Sequence, residues 1–436
     1  LKIANRKSQI ENLFPADAIA YIDANKARFI EELQEFLRFP SVSSQSTHAD
    51  DVIQCAQWLR NHLESIGLEA RLIKGRGHPI VEATRLGEGP GRSNRKLIIY
   101  GHYDVQPADS GEEWDSPPFA PAVRDGFIFG RGTSDDKGQL FAHVKGAESL
   151  MRTCGQLPCD VRFLIEGEEE SGGTSLQRYV ETEKANLATD AVIISDTSMY
   201  DERTPAITYG LRGLVGMEVI VRVADRDLHS GAFGGLIGNP GVALAHIIAA
   251  CMGADGKVAI PGFHDQIRPL EDWERQNIRR LGFDESKLLS ESGSRAGFGE
   301  KDFSALERIW ARPTFDVNGL LGGYTGTGIK TIIPSSATAK ISMRLVPDQK
   351  PERVFNLVAK HIKASCPAFA SVEIKGPSSG TPPALFDVSD PAIQVAKEAL
   401  KFGFGADPVF IRCGGSIPVA NTFWQELRRP VILMGF

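Results

Sequence analysis

No run of 18 apolar residues occurs in the sequence, so no stretch of it is long enough to cross a bilayer as a helix. It has no cluster of basic residues either, and a formal net charge of −6 argues against a nucleic-acid partner. Cysteine is scarce. The six (Cys55, Cys154, Cys159, Cys251, Cys366 and Cys413) form no C-x-x-C, and Cys154 and Cys159 lack the second pair that a zinc ribbon requires. They read as free thiols in a reducing, cytoplasmic compartment. Leu1-Lys2-Ile3-Ala4-Asn5-Arg6 lacks the apolar segment of a secretory leader. There is no internal repeat and no low-complexity tract. Gly323 to Thr331 reads GYTGTGIKT, but Ile329 separates Gly328 from Lys330, and no strand precedes it or helix follows it, so a P-loop is rejected.

What is present is a chain of 436 residues, 42% hydrophobic and 24% charged. That is ordinary for a soluble globular protein but too long for one simple core, so two or three domains are expected. Ile19 to Phe39 has apolar residues at helical spacing and ends at Pro40. Val52, Cys55, Leu59, Leu63 and Ile66 mark a second helix, closed by Gly67. Turn-rich stretches at 87–94 and 107–121 flank the short apolar strand Leu97-Ile98-Ile99-Tyr100. A helix is expected from Lys137 to Met151, a strand over 160–166, a helix from Leu176 to Glu183 and a strand over 190–195. This alternation indicates an α/β fold, a mostly parallel sheet with helices on both faces. From about Leu211 the pattern changes. Strands over 216–223, 337–346 and 370–375, with helices over 240–252 and 351–366, suggest an inserted α+β sandwich. The stretch 257–319 has no assignable pattern. A helix over 390–402 and a strand over 431–434 return to the first fold. The division expected is 1–211 and 386–436 for the main domain and 212–385 for the insert.

The chemistry concentrates at strand ends. Gly101-His102-Tyr103-Asp104 follows the 97–100 strand, and His102 and Asp104 face the same way at i and i+2. Ligands of open α/β sheets gather at such carboxyl ends. Asp135 opens a helix, Glu169 and Glu170 follow the 160–166 strand, and Asp196 follows the 190–195 strand. Each has a plain alternative: Asp135 or Asp136 as a helix cap, Glu168 to Glu170 as a solvated acidic turn, Asp196 as a loop residue. Together they form a set of acids that would repel one another without a cation. Mixed imidazole and carboxylate ligands suit Zn²⁺, Mn²⁺ or Co²⁺. Of two adjacent glutamates, one can bind metal while the other takes a proton from water.

The stretches GHYDVQPA, GRGTSDDKGQ, EGEEESGG, ISDT, DLHSGAFGG, RLVP and GGSIPV together resemble the M20 metallopeptidase family, and within it the cytosolic nonspecific dipeptidase (carnosinase-like) branch. The likeness runs from about Phe36 to the C-terminus. It implies a metal-dependent exopeptidase fold with a lid domain, and hydrolysis of dipeptides or short peptides by a metal-activated water. It further implies that His102 and Asp196 hold one metal, Asp135 bridges two across a cis Asp135–Asp136 bond, and Glu170 holds the second. Glu169 would be the general base and Asp104 would orient His102. The insert would be a dimerising lid whose His229 reaches the partner subunit's site, and Arg344 and Thr331, aided by Gly415 and Ser416, would bind the substrate carboxylate. An arginine fork suits a carboxylate; the plain readings are a surface ion pair for Arg344 and a polar loop residue for His229.

Two divalent ions, zinc or manganese, go with this resemblance. The second ion takes a further histidine from a loop after the last sheet strand. The sequence stops at Phe436, directly after that strand, and none of His48, His62, His78, His143, His246, His264 and His361 lies in that place. The expectation is a chain shortened at its C-terminus or an incomplete second site. The alternatives are an N-acyl-amino-acid amidohydrolase using the same metals and a catalytically impaired binding protein. Glu169 argues against the latter, because binding alone does not need a base beside the ligands.

Overall fold

The computed structural model describes residues 16–89, 92–108, 114–377 and 380–436. The leader reading at 1–6 and parts of the expected loops at 87–94 and 107–121 fall outside these residues. The chain divides into two compact units, one of 1–207, 388–409 and 422–436, the other of 208–387 and 410–421.

In the first unit, strands lie in the order Glu69–Ile73, Ile80–Arg85, Asp160–Glu166, Lys96–His102, Ala191–Ile194 and Val431–Leu433. The two pairings at the Glu69 edge are antiparallel and the rest are parallel. The parallel strands read as unbroken apolar runs because both faces are covered. On one face, helices Ala49–Ser65 and Lys137–Cys154 pack on the strands, and helix Ala16–Leu37 packs on Lys137–Cys154. Their apolar stripes (Phe36, Val52, Leu59, Leu63, Leu140, Val144) meet Val81, Ile99, Phe163 and Ile165 of the sheet. Each large apolar side chain so buried contributes about 1.5–3 kcal/mol. On the other face, Tyr100 meets the Phe423 ring edge-on at 6.0 Å, and helix Pro391–Phe404 covers Val431–Leu433.

Helix Lys137–Cys154 ends at Gly155, whose φ of +70° needs a residue without a Cβ. Its first residue, Lys137, is fully buried. The Lys137 ammonium donates to the carbonyls of Phe36 (3.2 Å) and Phe39 (2.9 Å), tying this helix to the end of Ala16–Leu37.

The second unit contains an antiparallel sheet in the order Asp316–Gly322, Ser336–Leu345, Gly213–Arg222, Ser371–Lys375. Helices Pro240–Cys251 and Pro351–Ser365 pack on it through Leu244, Ile247, Val354, Val358 and Ile362. Asn239 caps the first of these by accepting from the amides of Gly241 and Val242, with Pro240 in the first turn. Strand Gly213–Arg222 alternates buried and half-exposed residues over most of its length, as the period-two pattern requires. The stretch without an assigned pattern holds three short helices, Asp272–Arg280, Glu285–Glu291 and Ala305–Ala311. Strand Val409–Cys413 carries the chain into 410–421, which clusters with this second unit. The sequence reading had kept that stretch with the first domain. Within the second unit, Asn277 donates to the Phe410 carbonyl and Arg212 to that of Gly414.

Candidate metal centre

His102 closes the Lys96–His102 strand and is fully buried. Its Nδ1 lies 3.0 Å from the backbone carbonyl of Asp104 and 3.4 Å from that residue's Oδ1. The carbonyl therefore fixes the tautomer, and the Asp104 carboxylate, expected to do so, is the more distant partner. That carboxylate accepts instead from the Ser43 hydroxyl at 2.6 Å and the Glu170 amide at 3.0 Å, which ties the strand end to the glutamate loop. With Nδ1 engaged, Nε2 faces Asp135 Oδ1 at 3.0 Å and Asp196 Oδ2 at 3.9 Å.

Helix-cap readings fail for the aspartate pair. Asp136 occupies the N-cap of Lys137–Cys154 but makes no capping hydrogen bond; its Oδ2 accepts from the His102 amide at 3.1 Å. The Asp135–Asp136 peptide bond is cis.

Glu169 and Glu170 lie on a short 3₁₀ turn, Glu169–Ser171. Glu168 before them is no solvated acid. It is buried, accepts from the His78 amide at 2.7 Å and the Ser175 amide at 3.1 Å, and so clamps the turn from both sides. Gly77 and Gly173 press against its carboxylate, where a Cβ would not fit. Glu170 accepts from Gln106 Nε2 at 2.7 Å.

Burial and mutual repulsion set the electrostatics of these acids. Burial, reinforced by Asp196, Glu170 and Asp104, holds Glu169 up to about 7. Burial also raises Asp196, with Asp135 and Asp104 adding to it, and raises Glu170 against its bond from Gln106. Asp135 is lowered, chiefly by its hydrogen bond to His102. His102 lies among these acids. Burial opposes its charge, but bonds to Asp104 and Asp135 raise it well above the ordinary range.

Ligand atoms of His102, Asp135 and Asp196 all lie within 4.8 Å of one another. Asp136 Oδ1 is buried without a hydrogen-bond partner. An imidazole nitrogen and carboxylate oxygens so placed fit a divalent transition ion. Glu170 stands outside that close group.

Among the described residues one other set has metal-like donors: Glu32, His62 and Glu148. A protein cation already fills it. The Lys145 ammonium lies 2.5 Å from Glu32, 2.7 Å from Glu148 and 2.8 Å from His62 Nε2, over the Phe29 and Phe141 rings.

The remaining expected residues belong to the second unit. The Leu228–His229 strand pairs with Ile332–Ile333, and the Ser230 amide donates to the Thr331 carbonyl at 3.0 Å, so His229 and Thr331 are neighbours. Arg344 Nη1 donates to Ser416 Oγ at 3.1 Å, joining that arginine to the Gly415–Ser416 loop. Ser43 and Gln106 had no assigned role in the sequence reading, and Asp136 only that of a helix cap. Gln106 stands in the GHYDVQP stretch and could have been weighed there; Ser43 carries no sequence signal.

A model of peptidase family M20/M25/M40 matches residues 98–436. The chain belongs to this family. Among relatives, the Cys-Gly metallodipeptidase DUG1 of Candida albicans is 32% identical over 95% of this chain and 88% of its own length. The Beta-Ala-His dipeptidase of Homo sapiens is 29% identical over 95% of this chain and 84% of its own. A solved M20 family metallo-carboxypeptidase, Sso-CP2 of Sulfolobus solfataricus, superposes with a TM-score of 0.82 at 33% identity, covering 93% of this chain and 90% of that one. This M20 chain is thus a peptidase, with the mostly parallel sheet and the family resemblance read from its sequence. No helix among its described residues is long and apolar enough to cross a membrane.

Without metal, the M20 centre should make stability depend on pH. Burial also raises Glu166, bonded to the Tyr100 hydroxyl at 2.9 Å, to about 8. Glu166 and Glu169 bind protons more tightly folded than unfolded. The resulting stabilisation is complete below the ordinary glutamate value and is lost as pH rises through about 7 and about 8. His62 and His143, which burial lowers to about 4, are mostly neutral in both states above about pH 7 and add little slope there. Chelator-treated protein should therefore melt at a lower temperature near about pH 8.5 than near about pH 6.5. Adding a divalent ion at the higher pH should recover the loss; a melting temperature that rises across this range would contradict the assignment.

Proposed function

We propose that this chain hydrolyses dipeptides with a free C-terminal carboxylate, using divalent zinc or manganese. The observation that carries the reading is the His102–Asp135–Asp196 group with Glu169 beside it. His102 and Asp196 would hold one ion, Asp135 would bridge, and Glu170 would serve a second. When bound, the ions would polarise the scissile carbonyl and activate water. Glu169 accepts the proton released by that water and returns it to the departing amine. A carboxylate held near neutrality can do both, being neither too weak a base nor too weak an acid. The Asp104 carbonyl keeps the His102 lone pair on Nε2. Arg344, with Thr331, Gly415 and Ser416, holds the substrate carboxylate, and His229 polarises the scissile carbonyl.

The substrate class follows the relatives, named for Cys-Gly and β-Ala-His dipeptides, rather than the deacylase alternative. A panel of dipeptides and N-acetyl amino acids, assayed with Mn²⁺ and with Zn²⁺, tests it. Dipeptide turnover should exceed deacylation and should vanish with chelator. Faster deacylation of N-acetyl amino acids would replace this reading with the amidohydrolase.

We also propose a homodimer through the second unit, with His229 acting in the partner's site. In support, strand Asp316–Gly322 is a sheet edge with Val317, Leu320 and Leu321 exposed, and His229 is itself exposed. Mixing inactive His229→Ala with inactive Glu169→Ala protein should regain activity as subunits exchange, because each heterodimer holds one intact site. Exchange shown by a labelled subunit, with no return of activity, would exclude the in-trans role.

A further inference from the structure

Arg212 joins strands Ala206–Leu211 and Gly213–Arg222. It grips the 413–416 loop through backbone and side chain. Its amide donates to the Gly415 carbonyl at 3.0 Å, its carbonyl accepts from the Ser416 hydroxyl at 2.6 Å, and its Nε donates to the Gly414 carbonyl at 2.8 Å. Nη1 reaches the Arg312 carbonyl at 3.3 Å. A Cβ on Gly414 would come within 3.0 Å of Nη2 and 3.2 Å of Ile309, so the loop lies close against the guanidinium. From the other side Arg344 donates to the same Ser416 hydroxyl.

Two guanidiniums thus converge on one four-residue loop. Their protein acceptors are carbonyls and a hydroxyl, and among the described residues neither forms an ion pair. Asp316, the acid whose charge Arg212 senses, has its carboxylate bonded by the Thr314 hydroxyl. Burial, and then the like charge of Arg344, lower Arg212 to about 10. With Asp316 acting only at a distance and no ion pair to either guanidinium among the described residues, two like charges side by side favour an arriving anion. A guanidinium presents its donors in a rigid fork that matches a carboxylate.

We propose that Arg212 is a positioning and specificity-determining residue that holds the Gly414–Ser416 loop in place and adds a second positive charge beside Arg344 for the substrate's terminal carboxylate. The inference rests on the carboxylate role proposed above for Arg344. Its consequence is a preference for free-acid dipeptides over their C-terminal amides that depends on both arginines.

The test compares a dipeptide with its C-terminal amide on the full metal-loaded chain, for wild type, Arg212→Met, Arg212→Lys and Arg344→Ala. Arg212→Met should lower the free-acid to amide ratio of kcat/KM by about tenfold, mainly through a higher KM for the acid. Arg212→Lys keeps the charge but not the fork, and should recover part of that ratio. Equal losses on both substrates, leaving the ratio unchanged in Arg212→Met while Arg344→Ala loses it, would overturn the inference alone. A ratio unchanged in both variants would overturn the carboxylate reading on which it rests. Should circular dichroism show that the methionine variant does not fold, Arg212→Gln carries the same comparison.

Discussion

Glu169→Gln should lower kcat on a dipeptide by about 10²–10⁴-fold while leaving metal content close to wild type. The amide has the size of the carboxylate and can still accept a hydrogen bond, but it cannot take a proton. Glu169 is not part of the close donor group formed by His102, Asp135 and Asp196, so the ligand set survives the change. Loss of the acid should also remove the limb of the pH–rate profile that it governs. Elemental analysis beside steady-state kinetics separates the outcomes. Near-normal kcat would remove Glu169 from the mechanism, and a parallel loss of metal would make it a ligand.

A second large effect is expected within the second unit. Arg412, one residue before Cys413, is buried and pairs with buried Glu274; its Nε donates to the Tyr209 hydroxyl at 3.2 Å, and that hydroxyl donates to Glu274 at 2.8 Å. Its guanidinium also lies over the Tyr209 ring. Arg412→Met removes one partner and leaves the Glu274 charge in the interior. Breaking a buried pair in this way costs about 3–5 kcal/mol. Arg412→Met combined with Glu274→Met removes both charges and should recover much of the loss. Urea or thermal unfolding of both variants checks this. A single variant as stable as wild type would mean that Glu274 is compensated by the Tyr209 hydroxyl and the Glu271 amide alone.

The parallel sheet of the first unit was legible in the sequence because apolar runs there end on polar, chemistry-bearing residues. Four apolar residues before His102, a similar run before Glu169 and another before Asp196 marked the sheet strands, and donor atoms of His102 and Asp196 come together at their ends. What escaped was of two kinds. Short helices in 257–319 bury little apolar surface, so their periodicity is weak; Ala305–Ala311 is instead signalled by Ser304 and Glu307, a capping box that a search for apolar spacing passes over. The other kind is backbone chemistry. Nothing in the spacing of His102 and Asp104 tells that the carbonyl, rather than the carboxylate, is the nearer partner of Nδ1. Nor does sequence distance reveal that Arg212 and Ser416 share a hydrogen bond.

The Lys145 ammonium inside Glu32, Glu148 and His62 has a consequence for the supply of metal in the cell. A covalently attached cation cannot dissociate, be exchanged or be chelated. The donors in the corner where helices Ala16–Leu37, Ala49–Ser65 and Lys137–Cys154 meet are therefore satisfied by the protein's own cation and need no ion from outside. Of the two sets of similar donors among the described residues, a lysine thus satisfies one and not the other.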